Sequence, residues 1–151
     1  MDKLFLFIAT GAGSGRLPKA PGTWGSLLGV LLWLLLRRLD FSAYAAAVAV
    51  LFVLGVAAAG AAEKILDQGD PGMVVIDEIV GQLIALALAP NLLTAGAGFV
   101  LFRFFDILKP FPVGWLDRRI HGGLGIMLDD AAAGLMAFAV LHAVLRLAGI
   151  F

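Results

Sequence analysis

Long apolar segments alternate with short polar ones along most of the chain. The segments are too long for ordinary strands, and nearly all of their positions are apolar, as in helices that are buried or face lipid. They cover residues 27–36, 43–62, 79–89 and 92–108, and a last segment begins around 127–129 and runs to the C-terminus. This pattern predicts an all-α protein, a compact bundle of about four to five main helices.

Polar and helix-breaking residues mark the predicted helix ends. Two arginines close the first long segment, and Pro90 and Pro110 stop two later ones, because proline cannot continue a helix. The third main helix is predicted to begin near Met73. Two short helices are predicted as well, one at the N-terminus and an amphipathic, interfacial one at residues 115–120. The Gly/Pro-rich stretch 11–26 is predicted to be a loop that leads into a helix.

The composition indicates a membrane protein. The sequence is 62% hydrophobic and only 15% charged, and residues 43–62 are long enough to cross a bilayer. We therefore expect one domain, residues 1–151, that forms a polytopic membrane bundle. Its formal net charge of zero gives no reason to expect a nucleic-acid partner. Helices rich in glycine and alanine often self-associate in lipid, so a homo-oligomer is left open.

Two acidic dyads and one further aspartate interrupt the apolar pattern near predicted helix ends: Asp77-Glu78, Asp129-Asp130 and Asp106. A single dyad at a helix start is equally well explained as a complement to the helix dipole. Carboxylates beside so much apolar sequence are nevertheless costly unless they are paired or bind a cation. The absence of cysteine leaves hard oxygen ligands. This set favours Mg²⁺, with Mn²⁺ as an alternative, over zinc.

A basic pair accompanies these carboxylates. Arg103, Asp106 and Lys109 recur at a spacing of three and share one helix face. One explanation is that they form a ladder of salt bridges and nothing more, which stabilises an exposed helix by about tenths of a kcal/mol. Beside a metal cluster, the same arginine and lysine would bind phosphate oxygens, and this reading is favoured.

The loop 11–26 and one histidine are weaker candidates for phosphate contact. The loop could present backbone N–H groups to an anion, with the side chains of Lys19, Thr23 and Ser26 beside them. It matches neither a dinucleotide-binding nor a Walker motif, and a flexible loop explains it equally well. His121 could contact phosphate or assist proton transfer, although a solvated loop histidine is the favoured reading.

Antiparallel alternation of the helices brings these polar motifs to one side of the membrane. Most of the basic residues share that side: Arg16, Lys19, Lys64, Arg103, Lys109, Arg118 and Arg119. Fewer lie opposite: Arg37, Arg38 and Arg146. Because cytoplasmic segments of membrane proteins are enriched in Lys and Arg, the motif side is predicted to face the cytoplasm.

Four segments of this chain carry a family resemblance: GSGRLPKAPGTWGS, VIDEIVGQ, FRFFDILKPFP and HGGLGIMLDDAAAG. With these in order along nearly the whole chain, the sequence resembles the phosphatidylglycerophosphatase A family of bacterial membrane lipid phosphatases. The resemblance implies Mg²⁺-dependent hydrolysis of phosphatidylglycerol phosphate to phosphatidylglycerol and inorganic phosphate. It also implies the cytoplasmic face of the inner membrane, and an all-helical fold in which one helix is surrounded by others.

The residues and the resemblance lead to one hypothesis. The five carboxylates hold one or two Mg²⁺ ions that activate a water molecule for attack on phosphorus, while Arg103 and Lys109 stabilise charge on the phosphoryl group. An aspartyl-phosphate intermediate is an alternative mechanism. A small membrane transporter and a metal-dependent lipid phosphotransferase are the alternative functions.

Overall fold

The computed structural model describes residues 1–150, which form seven α-helices, one 3-10 turn and no strand. The predicted all-α class is confirmed. In chain order the elements are α1 (Asp2–Ala9), the 3-10 turn (Ser14–Arg16), α2 (Pro21–Leu36), α3 (Phe41–Leu66), α4 (Ile76–Ala85), α5 (Leu92–Leu108), α6 (Val113–Arg119) and α7 (Gly122–Leu147).

The short helix α4 lies at the centre and packs against α2, α3, α5 and α7. Nearly all of its residues are buried, including the amide of Gln82 and the side chain of Leu83. The Tyr44 hydroxyl of α3 donates a hydrogen bond of 2.7 Å to the Leu83 carbonyl oxygen. A helix that is covered on all sides has no solvated face, so its polar side chains Asp77 and Gln82 are buried together with the apolar ones.

The packing of α4 on α7 depends on two glycines. A Cβ atom at Gly134 would lie 2.4 Å from the carbonyl oxygen of Gly81. A Cβ atom at Gly81 would in turn lie 2.7 Å from the carbonyl oxygen of Asp130. Because both positions lack a side chain, the two helix backbones approach closely. This contact lies one turn away from the acidic residues of both helices.

The predicted start of the last helix was wrong. It begins at Gly122, more than a turn before 127–129, so Asp129 and Asp130 lie inside the helix rather than at its N-terminal end. Glycine has a low helix propensity, so the sequence predicts a turn at residues 119–123 rather than a helix start at Gly122. Tertiary packing overrides that propensity: a Cβ at Gly123 would meet the Val56 carbonyl oxygen at 2.1 Å.

Two other boundaries also differ from the prediction. Helix α2 begins at Pro21, so Thr23 and Ser26 belong to a helix and not to the loop. Its early glycines face α4, where a Cβ at Gly25 would lie 2.7 Å from the Val75 Cβ. Helix α4 begins at Ile76 rather than near Met73, because the Val75 N–H donates to the Ala9 carbonyl oxygen instead of to a carbonyl one turn earlier in its own segment.

Two of the helices, α3 and α7, are long and apolar enough to cross a membrane. Each has 26 residues, which is longer than the roughly 20 that a bilayer core requires. Helix α3 is buried over only 22% of its most apolar window, and its outer face exposes Val50, Val53 and Leu54. These apolar surfaces have the character of lipid-facing helices.

Candidate active site

The polar motifs surround one cavity of about 500 Å³. Eight carboxylates line it: Glu63, Asp70, Asp77, Glu78, Asp106, Asp117, Asp129 and Asp130. Arg103 and Lys109 are the cations among its lining residues, and His121 lies at its wall. With four times as many acidic as fully basic groups, the cavity concentrates negative charge against an apolar interior. Such a site favours a bound cation.

Three of these carboxylates form a compact cluster. Asp77, Glu78 and Asp130 each place an oxygen within 4.8 Å of the other two. Asp77 is 9% exposed and Asp130 only 3%. The close contact of α4 with α7 holds them there, because Asp77 lies one turn before Gly81 and Asp130 one turn before Gly134.

The cluster leaves buried oxygen atoms without hydrogen-bond partners. They are Asp77 Oδ1, Glu78 Oε2 and Asp130 Oδ2, one from each residue. Unpartnered buried polar atoms are rare in proteins and costly. Carboxylates from three residues this close together supply the hard oxygen ligands that Mg²⁺ and Mn²⁺ prefer. The donor set therefore fits a divalent cation.

Burial also changes the protonation of the dyad on α4. It is the main reason that the pKa of Asp77 lies well above its usual range, and the charges of Glu78 and Asp130 act in the same direction. Burial likewise raises the pKa of Glu78 to about 7, although a hydrogen bond with Asp77 opposes the change. A bound cation would favour the ionised form of both groups.

Arg103 on α5 connects three helices beside the cluster. Its Nη1 lies 2.6 Å from Asp106 Oδ2 and 4.0 Å from Glu78 Oε1. The same nitrogen donates a hydrogen bond of 3.4 Å to Ser26 Oγ of α2. The i, i+3 ion pair of Arg103 and Asp106, which the sequence left as the alternative to phosphate contact, forms inside the cavity rather than on an exposed face.

Lys109 forms a second set of ion pairs at the end of α5. Its Nζ lies 2.8 Å from Asp129 Oδ2 and 2.6 Å from Asp117 Oδ1. Partial burial acts to lower the pKa of Lys109, but the hydrogen bonds and charges of Asp117 and Asp129 outweigh it and raise the pKa above its usual value. The ammonium group therefore stays charged at neutral pH.

The N-terminal end of α2 forms another part of the wall. Pro21 and Gly22 line the cavity, and a Cβ at Gly22 would lie 2.1 Å from Glu78 Oε1. Ser26 is buried and its hydroxyl donates to the Gly22 carbonyl oxygen at 2.8 Å. None of the three predicted contacts of this segment, Lys19, Thr23 and Ser26, is among the residues that line the cavity. Ser26 is linked to the site only through the hydrogen bond that it accepts from Arg103.

Comparison with known proteins shows the family of the chain. The family model for phosphatidylglycerophosphatase A matches residues 7–145. The chain belongs to the phosphatidylglycerophosphatase A family. No solved structure matches it.

Three relatives of the chain have named activities. It is 38% identical over 144 residues to phosphatidylglycerophosphatase A of Escherichia coli, which covers 94% of this chain and 84% of the relative. It is 42% identical over 140 residues to phosphatidylglycerophosphatase A of Haemophilus influenzae, covering 91% and 86%. It is also 42% identical over 150 residues to a Bacteroides thetaiotaomicron protein provisionally named as a phosphatidylinositol-3-phosphatase, covering 93% and 92%.

Three further acidic residues line the site of this phosphatidylglycerophosphatase A-family protein, and the sequence alone did not indicate them. Glu63 at the end of α3, Asp70 in the following connection and Asp117 on α6 all line the cavity. Glu63 Oε1 accepts a hydrogen bond of 3.2 Å from the Asp70 backbone N–H. Each is a single acid in a polar segment, where a solvated position is the ordinary expectation, and only the tertiary fold places them at the cavity.

Proposed function

We propose that the chain is a metal-dependent lipid phosphatase that hydrolyses phosphatidylglycerol phosphate to phosphatidylglycerol and inorganic phosphate. The family assignment supports a phosphatase acting on this lipid. The observation that carries the proposal is the cluster of Asp77, Glu78 and Asp130, which has unpartnered buried oxygens and lines a cavity that Arg103 and Lys109 also line. Carboxylates for a cation and basic side chains for an anion are what a metal-dependent phosphate monoester site requires.

Mg²⁺ is the proposed cofactor, and Mn²⁺ would satisfy the same ligands. Asp77, Glu78 and Asp130 would hold the ion. Asp106 and Asp129 complete the proposed acidic set, and each is held by a basic partner, Arg103 and Lys109 respectively. When bound, the cation supplies positive charge that offsets the charge of the phosphate and polarises its oxygens.

The chain's own residues bind and orient the phosphate group. The guanidinium of Arg103 is fixed by Asp106 and Ser26, so its remaining N–H groups can donate to phosphate oxygens without reorganisation. The ammonium of Lys109, which Asp117 and Asp129 hold, lines the same cavity and can donate to another phosphate oxygen. Hydrolysis breaks the bond between phosphorus and the ester oxygen, forms one to a water oxygen, and returns a proton to the departing alcohol. His121 lies at the wall where it can contact phosphate or this alcohol.

We further propose that the protein lies in the bacterial inner membrane as a multi-pass bundle with the cavity towards the cytoplasm. Helices α3 and α7 would cross the bilayer, and the cavity is lined from the C-terminal end of α3 and the N-terminal half of α7. The lipid tails would remain in the bilayer while the headgroup enters the cavity. The arginines at the end of α6, Arg118 and Arg119, would face anionic headgroups on that side.

Phosphate release from purified protein in detergent tests this proposal. The substrates are phosphatidylglycerol phosphate, phosphatidic acid and phosphatidylinositol 3-phosphate, each with Mg²⁺ or with EDTA. We expect Mg²⁺-dependent release that is fastest with phosphatidylglycerol phosphate. The Bacteroides relative is the reason to include the inositol lipid, and faster release from it would replace the proposed substrate.

The same assay separates the alternative functions. A transporter would release no phosphate from any of the three lipids. A lipid phosphotransferase would consume phosphatidylglycerol phosphate only when an acceptor alcohol is added, and it would yield a new phosphorylated lipid rather than inorganic phosphate. Release of inorganic phosphate without an added acceptor excludes both.

A further inference from the structure

We infer that Asp117 is a positioning residue that fixes the ammonium group of Lys109 in the phosphate site. The inference rests on the proposed function, because it concerns how that site binds phosphate. Asp117 belongs to α6, the short helix that carries none of the dyads, and it lines the cavity through its side chain.

The geometry around Lys109 leaves one donor for a substrate. An ammonium group has three N–H donors. One is directed to Asp117 Oδ1 at 2.6 Å and another to Asp129 Oδ2 at 2.8 Å. With two donors held by carboxylates from different helices, the third has a fixed direction, and phosphate is the anion that this site is proposed to bind.

The carboxylates of Asp117 and Asp129 differ in their other hydrogen bonds. Asp129 is 9% exposed in its side chain, and its Oδ1 also accepts a hydrogen bond of 3.0 Å from the Asp130 backbone N–H. Asp117 has no such second partner among the hydrogen bonds of the described residues. Without Asp117, the lysine would be held only from the side of the acidic cluster, and its ammonium would move towards the carboxylates that are proposed to bind the cation.

Packing of α6 on the end of α5 places Asp117 for this role. A Cβ at Gly114 would lie 2.5 Å from the Lys109 carbonyl oxygen, so α6 begins directly against that residue. Lys109 has φ 44° and ends α5, because this left-handed conformation stops the helix and changes the direction of the chain. The first turn of α6 therefore fixes the distance between the two side chains.

The exposure of the pair indicates that its main role is not stability. The side chains of Lys109 and Asp117 are 32% and 38% exposed, and ion pairs of this kind contribute little to the free energy of folding. A displaced phosphate ligand, in contrast, lowers turnover strongly, because an error of about 1 Å in positioning can cost about 100-fold in rate. Activity and thermal stability should therefore respond differently to loss of Asp117.

A double-mutant cycle tests the inference in the full-length protein. The variants are Asp117→Asn, Lys109→Met and the double variant, and the assay is Mg²⁺-dependent phosphate release from phosphatidylglycerol phosphate. We expect Asp117→Asn to lower kcat about tenfold or more with little change in the unfolding temperature. In the Lys109→Met background, Asp117→Asn should change kcat less than about twofold, because its effect passes through the lysine.

Two further variants complete the design. Asp117→Glu keeps the carboxylate on a longer side chain and should recover part of the lost kcat. Asp67→Asn is the matched control: Asp67 is exposed, ends α3 and does not line the cavity, so this variant should keep the wild-type rate.

Several results would overturn the inference. Effects of Asp117→Asn and Lys109→Met that multiply in the double variant would show that the two residues act independently. A wild-type rate for Asp117→Asn would show that the aspartate has no role in turnover. If the wild-type protein itself releases no phosphate, the proposed function fails and this inference fails with it, whereas an active wild type keeps the two questions separate.

Discussion

Gly81 of α4 and Gly134 of α7 meet backbone to backbone, so that a Cβ on Gly134 would lie 2.4 Å from the Gly81 carbonyl oxygen. The same contact sets the distance between the acidic dyads, because Asp77 and Asp130 each precede one of these glycines by one turn. The acidic cluster therefore depends on a helix contact that includes no acidic side chain.

The substitution Gly134→Ala should weaken both the fold and the site. The added methyl group has no space between the two backbones, and overpacking of this kind costs about 1–3 kcal/mol in the free energy of unfolding. Separation of α4 from α7 should also lower phosphate release. Thermal unfolding and the phosphate assay measure the two effects. Gly96→Ala is the control, since nothing lies within 4 Å of a Cβ at this α5 position, and it should be neutral or slightly stabilising.

Asp130→Asn should abolish turnover without unfolding the protein. In EDTA the variant should be at least as stable as the wild type, because it removes a buried negative charge from beside Asp77 and Glu78. In Mg²⁺ the wild type should instead be more stable than the variant. Binding to the folded state stabilises the wild type by about 2.7 kcal/mol when the ion is present at about 100 times its Kd, and the variant should lack this gain. Thermal unfolding with and without Mg²⁺ measures the difference.

The outcome for Asp77→Asn should be the same, because Asp77 belongs to the same cluster. Near-normal phosphate release by both variants would exclude the cluster as the cation site. An equal stabilisation of wild type and variants by Mg²⁺ would place the ion elsewhere.

Without a divalent ion, stability should fall as the pH rises from about 4.5 to about 7. The pKa of Glu78 is raised from 4.5 to about 7 in the folded protein, so in this range the folded state binds more protons than the unfolded state. Stability then decreases with pH. Asp77, whose pKa is also raised, acts in the same direction. Thermal unfolding in EDTA across this range should show the decrease.

Glu78→Gln provides the control for this pH dependence. The amide does not titrate, so the decrease in unfolding temperature should become smaller in the variant. Saturating Mg²⁺ should also reduce it in the wild type, since the ion favours ionised carboxylates. A pH profile that is unchanged by the substitution would assign the effect to other groups.

Much of the fold follows from the sequence where strong stop signals flank an apolar segment. Helix α5 spans Leu92–Leu108 as predicted, because a capping asparagine precedes it and Lys109-Pro110 follows it. The starts of α2 and α7 could not be predicted, since both are rich in glycine and become helical through close packing on α4 and α3. Local propensity carries no information about such contacts.

The site was predictable to a similar extent. Acidic dyads in apolar sequence predict a functional site, because ionised groups are costly there. The structure brings members of both dyads to one cavity. Asp117 carries no such signal, because it lies in a short polar helix among arginines where an exposed acid is ordinary. Only the fold of α6 against the end of α5 shows that its carboxylate reaches Lys109.

Arg103→Lys should lower phosphate release about 10-fold or more, although it keeps the positive charge. Arginine donates through a planar fork, and its Nη1 alone reaches Asp106 Oδ2, Ser26 Oγ and the vicinity of Glu78 Oε1. A lysine cannot hold these partners and also present two parallel donors to phosphate. Lys19→Ala, which changes a basic residue outside the cavity lining, should keep activity within about threefold of the wild type under the same conditions. Equal losses in the two variants would show that Arg103 contributes only general positive charge, and the role proposed for its geometry would be wrong.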